Sequence, residues 1–128
     1  NKAAERKRVM AREQFQTLTE PMYYILMALS EECCGVDIME RVRQISGGRV
    51  KVGPGTLYTM LSKFEENQII SLTKEEGRRK SYVITEHGRE LLLAEHERLC
   101  IMLSDWNGYF DKNLLYYCSR DEEKENER

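Results

Sequence analysis

Apolar residues recur at helical spacing in the first half of the chain. Between Met22 and Leu29 they fall at i, i+3, i+4 and i+7, which predicts a core helix over residues 20–31. The same spacing returns further on and predicts a second helix at about residues 36–46. The segment 49–51 is too short for more than a bridging strand.

A third helix is predicted from Pro54 to about Glu66. Proline suits the first turn of a helix, because its missing N–H needs no partner there. The apolar residues of this segment form one stripe, consisting of Leu57, Met60, Leu61 and Phe64. The opposite face carries small and hydrogen-bonding residues with a single charge, namely Gly55, Thr56, Tyr58, Thr59, Ser62 and Lys63.

The pattern changes from helix to strand after this third helix. Residues 69–74 and 79–85 are rich in strand-forming residues, and Glu75-Glu76-Gly77 separates them. We therefore expect a β-hairpin. Its basic residues lie around the turn, and they are Lys74, Arg78, Arg79 and Lys80.

A long helix is predicted from Glu86 onward. Along it, large residues recur at alternating steps of three and four over about 25 residues, roughly 37 Å of helix. They are Leu92, His96, Leu99, Leu103, Trp106 and Phe110. A domain this small cannot bury such a seam alone, so we expect it to mediate dimerisation.

These elements divide the chain into four segments. We expect an N-terminal helix or arm (1–18), a winged-helix domain (19–85), a C-terminal dimerisation helix region (86–119) and an acidic, disordered tail (120–128). The sequence is compatible with two positions for the C-terminal end of the long helix. It either breaks at Asn107-Gly108 or continues through 109–118.

The order of helix, helix, short strand, helix and hairpin is that of a winged helix-turn-helix. In that mainly helical fold the third helix enters the DNA major groove and the hairpin, or wing, contacts the backbone. A face of hydroxyls rather than paired charges suits close approach to base edges and phosphates. The wing cations suit phosphate contact, and Lys51 stands just ahead of the third helix and could join them.

Charge is unevenly distributed along the 128 residues. The net charge is −2, which is unusual for a DNA-binding domain. However, residues 36–85 hold nine basic and six acidic residues, a net charge of +3, and residues 86–128 carry −5. The acidic end therefore masks a basic middle.

The composition, 41% hydrophobic and 33% charged, excludes a wholly disordered chain. No apolar run approaches 18 residues, and the N-terminus is highly charged. We therefore expect a soluble, cytoplasmic protein with no membrane partner.

The four cysteines and two histidines do not form a recognisable site in the sequence. Adjacent Cys33 and Cys34 cannot easily form a disulfide with each other, and the spacing of the Cys and His residues fits no common zinc motif. We expect free thiols, no metal and no cofactor. Two glutamates precede the Cys33-Cys34 pair and no basic residue adjoins it, which favours inert thiols. Without a nucleophile motif or a phosphate-binding glycine loop, we expect no enzymatic activity.

Two segments resemble the PadR family of transcriptional regulators. Residues 52–58 (VGPGTLY), with Leu61 and Glu65 beyond them, are similar to that family's recognition-helix signature. Residues 79–89 (RKSYVITEHGR) are similar to its wing strand and the start of its dimerisation helix. The resemblance implies a homodimeric, usually repressing transcription factor that releases its operator when a small molecule binds.

Three functional hypotheses follow. The favoured one is a homodimeric repressor that binds a pseudo-palindromic operator in double-stranded DNA. Its effector would be a small aromatic or apolar molecule, held by Met102, Trp106 and Phe110. The alternatives are a winged-helix module that binds another protein instead of DNA, and a thiol-responsive regulator that uses Cys33 and Cys34.

Overall fold

The computed structural model describes residues 1–6, 9, 15 and 17–110. The described part of the chain is mainly helical with one small antiparallel sheet, which confirms the predicted winged helix-turn-helix fold with a long C-terminal helix. In chain order the elements are α1 (Glu20–Ala28), β1 (Cys33–Cys34), α2 (Gly35–Ile45), α3 (Pro54–Glu66), β2 (Ile70–Glu76), β3 (Arg79–Ile84) and α4 (Glu86–Tyr109).

Helix α1 begins where the sequence predicts and ends three residues earlier. The Thr19 side chain accepts a hydrogen bond from the Met22 N–H at 3.4 Å and caps the N-terminus. At the other end, Arg41 Nη1 donates to the Ala28 carbonyl at 3.0 Å and lies 3.4 Å from the Glu31 carbonyl. This guanidinium binds the last turn of α1 and the chain beyond it, so residues 29–31 turn toward the sheet instead of extending the helix.

Helices α2 and α3 build the centre of the core. Leu57, Leu61 and Phe64 of α3 are buried and Met60 is half-buried, so the predicted apolar stripe is confirmed. Helix α2 ends at Ile45, close to the predicted end, and both Gly47 and Gly48 beyond it have positive φ.

The observed β-hairpin agrees with the prediction, but the third strand of the sheet lies at a different place in the sequence. Strands β2 and β3 pair antiparallel, and Gly77 at the turn has φ +62°. The expected bridging strand at 49–51 is wrong, because β1 at Cys33–Cys34 pairs with β3 instead. Residues 49–51 serve another purpose: Val50 is buried in the core.

Arg49 fastens this same loop to α1. Its guanidinium forms an ion pair with Glu20 and donates to the Tyr24 hydroxyl at 3.0 Å. These contacts fix the loop that leads into α3, and therefore the position at which α3 begins.

Helix α4 starts in close contact with the turn between α3 and β2. The Thr85 hydroxyl lies 2.9 Å from the Ile69 carbonyl and accepts a hydrogen bond from the Gly88 N–H at 3.0 Å. A Cβ at Gly88 would overlap the Ile69 carbonyl oxygen and lie 2.7 Å from a side-chain carbon of Ile84. Only glycine allows this approach, which sets the direction in which α4 leaves the sheet.

The chain divides into two compact units between Glu95 and His96. Within the first unit, Glu95 is buried and its Oε2 accepts a hydrogen bond from the Leu18 N–H at 3.3 Å. Leu92, predicted as a seam residue, is half-buried against the core of its own unit. The exposed part of the seam therefore begins at His96.

Several predictions concern residues outside the described part of the chain. Residues 2–6 are helical, but eight residues of the expected arm (1–18) lie outside it, as do the continuation after Phe110 and the acidic tail. The helix does not break at Asn107-Gly108, since α4 runs through both to Tyr109. Among the described helices, none is long and apolar enough to cross a membrane.

Candidate nucleic-acid interface

Helix α3 presents a continuous polar face to the outside. All six residues predicted for this face are exposed, namely Gly55, Thr56, Tyr58, Thr59, Ser62 and Lys63. The fold positions them through the opposite face, because the buried stripe leaves the helix no freedom to rotate about its axis. Lys51 is also exposed, ahead of the helix.

The N-terminus of α3 is open. Gly53 is its N-cap in extended conformation, and no side chain caps the helix. A Cβ at Gly53 or Gly55 would meet nothing within 4 Å, so packing does not require glycine at either position. The first turn of α3 thus combines free space with the positive end of a helix dipole, the combination that accommodates a phosphate.

Thr59 differs from the simple expectation of a free hydroxyl. Its Oγ1 donates a hydrogen bond to the Gly55 carbonyl within α3 at 2.9 Å. The hydroxyl proton is therefore engaged, and Thr59 presents its lone pairs and its methyl group to the outside.

Tyr58 lies at the boundary between α3, the start of α2 and the wing. Its ring packs against Gly35, where an added Cβ would lie 3.6 Å from Tyr58 Cε1 and 3.6 Å from the Lys80 carbonyl oxygen. Tyr58 nevertheless remains 47% exposed. Sequence reasoning missed Gly35 as a positioning residue, since nothing in the local pattern shows that α3 approaches it.

A cleft of about 190 Å³ separates α3 from the wing. It brings together five of the residues predicted to bind DNA, namely Tyr58, Ser62, Arg78, Arg79 and Lys80. Lys74 lines a neighbouring depression together with Arg79. The remaining predicted residues line neither space and lie on the outer surface of α3 and the loop before it.

The wing cations have acidic neighbours that the sequence analysis did not consider. Lys80 Nζ lies 3.9 Å from Glu75 Oε1, its cross-strand partner. Lys74 Nζ lies 3.4 Å from Glu32 Oε1, which precedes β1. Such exposed pairs are weak and exchange readily, so the cations can leave them for phosphates at small cost. The pairing register is the signal that would have identified Glu75 in advance.

Arg79 is close to a cysteine that is distant in sequence. A hydrogen bond with the Cys34 side chain, followed by electrostatic interactions with Cys34 and Asp37, raises the pKa of the Arg79 guanidinium. No basic residue adjoins the cysteine pair in the sequence, but the fold brings Arg79 beside Cys34. The neighbour comes from β3, where Cys34 pairs with Ser81, and not from the adjacent sequence.

The two adjacent cysteines have different surroundings. Cys33 is 4% exposed, and its burial raises the pKa of its thiol. Cys34 is only partly buried and lines the cleft. Successive residues of a strand point to opposite faces, so the two thiols do not form a joint site.

The second unit exposes a run of apolar side chains along α4. Leu99 is 40% exposed, Leu103 is 62% and Trp106 is 50%. The Trp106 ring packs against the Phe110 ring with a centroid distance of 4.3 Å and an interplanar angle of 46°. Met102, also predicted for an effector pocket, is exposed as well. Within residues 1–6, 9, 15 and 17–110, no group of three or more His, Cys, Asp or Glu residues could hold a metal ion.

Comparison with known proteins identifies sequences that are similar to this chain. A sequence model of the transcriptional regulator PadR-like family matches residues 25–94. "Transcriptional regulator YqjI" of Escherichia coli is 27% identical over 89 residues, which are 69% of this chain and 43% of that protein. An uncharacterised 37.1 kDa protein in transposon TN4556 of Streptomyces fradiae is 39% identical over 61 residues, 48% of this chain and 17% of that protein. The chain thus spans less than half the length of these relatives.

Solved structures share the fold. A PadR family transcription regulator from Clostridium difficile superimposes with a TM-score of 0.55 at 22% identity, covering 68% of this chain and 96% of that one. A transcriptional regulator from Clostridium thermocellum gives a TM-score of 0.59 at 18% identity, covering 74% and 100%. The family match spans more than half of the chain and includes α2, α3, the wing and the start of α4. The chain therefore belongs to the PadR-like family of transcriptional regulators.

Proposed function

We propose that this protein is a homodimeric repressor that binds a pseudo-palindromic operator in double-stranded DNA and releases it when a small molecule binds. The observation that carries the proposal is the cleft that joins the polar face of α3 to the basic wing. One rigid surface thereby combines hydrogen-bonding groups for base edges with cations for phosphates.

The dimensions of α3 suit the major groove. Its 13 residues make a rod about 20 Å long, and the groove is about 12 Å wide. The exposed residues from Gly55 to Lys63 lie within positions 2 to 10 of this rod, close to the open N-terminus. In this proposal Thr56, Thr59 and Ser62 contact base edges or phosphates, and Tyr58 contacts the backbone beside the wing.

The wing supplies the salt-dependent part of binding. Arg78, Arg79 and Lys80 follow the turn at Gly77, and Lys74 stands on the opposite strand. Each cation that neutralises a phosphate releases counterions, so affinity falls as salt rises. Lys51 and Lys63 flank α3 and contribute in the same way.

The second copy of the chain is proposed to bind along α4. Many of the exposed side chains between His96 and Phe110 are large and apolar. Their exposure to water is unfavourable in free energy, which favours their burial against a partner. Pairing with a second α4 would bury Leu99, Leu103 and Trp106. Each α3 of the dimer would then bind one half-site, and the half-sites would be one or more helical turns of the duplex apart, on the order of 10 bp. An aromatic or apolar effector between Met102, Trp106 and Phe110 would change that spacing and weaken simultaneous contact.

Binding to the protein's own promoter fragment, followed by fluorescence anisotropy over a range of salt concentrations, tests this function. We expect Arg79→Ala and Lys63→Ala each to reduce the slope of log K against log salt by about one. Arg89→Ala, which removes an exposed cation from α4, is the matched control and should leave the slope unchanged. Absence of DNA binding, or an affinity that does not change with salt concentration, would favour a module that binds another protein.

A thiol-responsive regulator is a second candidate, and it now rests on Cys34 alone. Cys34 lines the same cleft as Tyr58 and hydrogen-bonds with Arg79, so a group added to its sulfur would occupy the proposed phosphate position. A peroxide would oxidise the thiol to a sulfenic acid and be reduced to water or an alcohol. Peroxide-dependent release of DNA that Cys34→Ser abolishes and Cys100→Ser preserves would support this candidate, and release from both variants would exclude it.

A further inference from the structure

The second unit contains a histidine and a cysteine that are arranged like two ligands of one metal ion. Cys100 Sγ lies 3.7 Å from His96 Nε2. The two residues are four apart on α4 and therefore lie on the same side of the helix. Both are exposed, so an ion could reach them from solvent.

The distance between the two atoms fits tetrahedral zinc. With Zn–S near 2.3 Å and Zn–N near 2.05 Å, a tetrahedral angle separates sulfur and nitrogen by about 3.6 Å. The observed 3.7 Å, a hydrogen-bonding contact between the two side chains, differs from that separation by only about 0.1 Å. Two ligands at i and i+4 of a helix are also the arrangement by which helical zinc motifs hold their ion.

One chain supplies only half of such a site. Among the described residues no third His, Cys, Asp or Glu joins the pair to make a group of three. His96, however, lies in the same seam as Leu99 and Leu103, along which the second copy is proposed to pack. If the two α4 helices pair in parallel about a two-fold axis that runs along the seam, the same pair from the second copy lies against the first.

We propose that His96 and Cys100 of two copies together bind one zinc-like divalent ion in a Cys₂His₂ site at the dimer seam. The inference rests on the proposed dimer. Each Cys100 thiol loses its proton to solvent when the ion binds, so two protons leave per ion.

Cobalt(II) reports directly on such a site, because it takes zinc's place and absorbs visible light. We titrate the reduced, metal-free full chain with Co²⁺ and then add Zn²⁺. The expected result is saturation at one ion for two chains, tetrahedral d–d bands, a charge-transfer band with the intensity of two thiolates, and loss of all bands when Zn²⁺ displaces cobalt.

Variants assign the ligands. Cys100→Ser and His96→Gln should each abolish the two-thiolate spectrum, whereas Cys34→Ser and Cys118→Ser should retain it. Saturation at one ion per chain, or a spectrum that survives Cys100→Ser, would overturn the shared site.

Sedimentation velocity on the same samples separates this inference from the proposed dimer. Zn²⁺ should strengthen the dimer of the natural chain and leave the dimer of Cys100→Ser unchanged, because a ligand stabilises only the state that binds it. A dimer that takes up no Co²⁺ overturns the metal site and leaves the dimer intact. A chain that stays monomeric with and without metal overturns both.

Discussion

Gly35 at the start of α2 lies against the hydroxyl end of the Tyr58 side chain on α3. A Cβ at Gly35 would stand 3.6 Å from Tyr58 Cε1 and 3.9 Å from its hydroxyl oxygen. The same Cβ would lie 3.6 Å from the Lys80 carbonyl, so this glycine is the point at which α2, α3 and the wing meet. The orientation of Tyr58 in the proposed DNA-binding surface therefore depends on the size of residue 35.

Substitutions at Gly35 should separate DNA binding from folding. The space accepts one methyl group in ordinary van der Waals contact, so Gly35→Ala should bind DNA nearly as well as the natural chain. Gly35→Leu should displace the Tyr58 ring and weaken binding about tenfold, a loss of roughly 1.4 kcal/mol. Anisotropy measures the affinity and urea unfolding measures the stability. Equal affinities for the Ala and Leu variants would show that Tyr58 does not depend on Gly35.

Gly88 should be intolerant of any side chain. In Gly88→Ala the new Cβ overlaps the Ile69 carbonyl oxygen, which is backbone and cannot move aside cheaply. We expect a loss of about 3 kcal/mol in the free energy of unfolding. Gly108→Ala is the control on the same helix, because its Cβ meets nothing within 4 Å and alanine favours a helix by about 1 kcal/mol. Similar stabilities for the two variants would contradict the close approach at Gly88.

The glutamate beside Lys80 should limit DNA affinity. Glu75→Gln removes a negative charge 3.9 Å from Lys80 and close to the proposed path of the phosphates. Affinity should rise about threefold, the size typical of an exposed charge interaction, and the gain should shrink at high salt. Glu86→Gln, at the first turn of α4, is the control and should change little. A Glu75→Gln variant that binds more weakly would show that the wing does not face DNA.

A negative charge introduced into the exposed part of the seam, after Glu95, should prevent dimerisation. Leu103 is 62% exposed in the single chain, so Leu103→Asp should fold normally. Pairing would bury that carboxylate, and the dimer should dissociate. Leu99→Asp should behave alike, whereas Leu93→Asp, which is exposed but outside the predicted seam, should remain dimeric. Analytical ultracentrifugation distinguishes these cases, and a dimeric Leu103→Asp protein would show that the seam is assigned wrongly.

The sequence predicted the elements in which apolar and polar side chains follow a regular pattern. The apolar stripe of α3 spans more than two turns, and its period alone determines which residues face outward, including Tyr58 and Lys63. The hairpin is likewise predictable, because Gly77 interrupts two runs of strand-forming residues.

The sequence could not predict the features that depend on distant contacts. Strand β1 has two residues, too few to show a period, and β3 alone defines its place in the sheet. The Arg79 contact with Cys34, the Glu32 contact with Lys74 and the space at Gly88 all join segments more than 15 residues apart. Each of these contacts depends on the register of the sheet or on the direction of a helix. The local sequence pattern predicts neither the register nor the direction.

The most direct test of the central claim places a cleavage reagent on α3. An iron chelate is attached through Ser62→Cys in a chain whose Cys34, Cys100 and Cys118 are serine, and the protein is bound to its own promoter fragment. If α3 occupies the major groove of both half-sites, the chelate will cut the DNA at two clusters about 10 bp or a multiple of that apart. Cleavage that is absent, or spread evenly along a fragment that the protein still binds, would contradict the account.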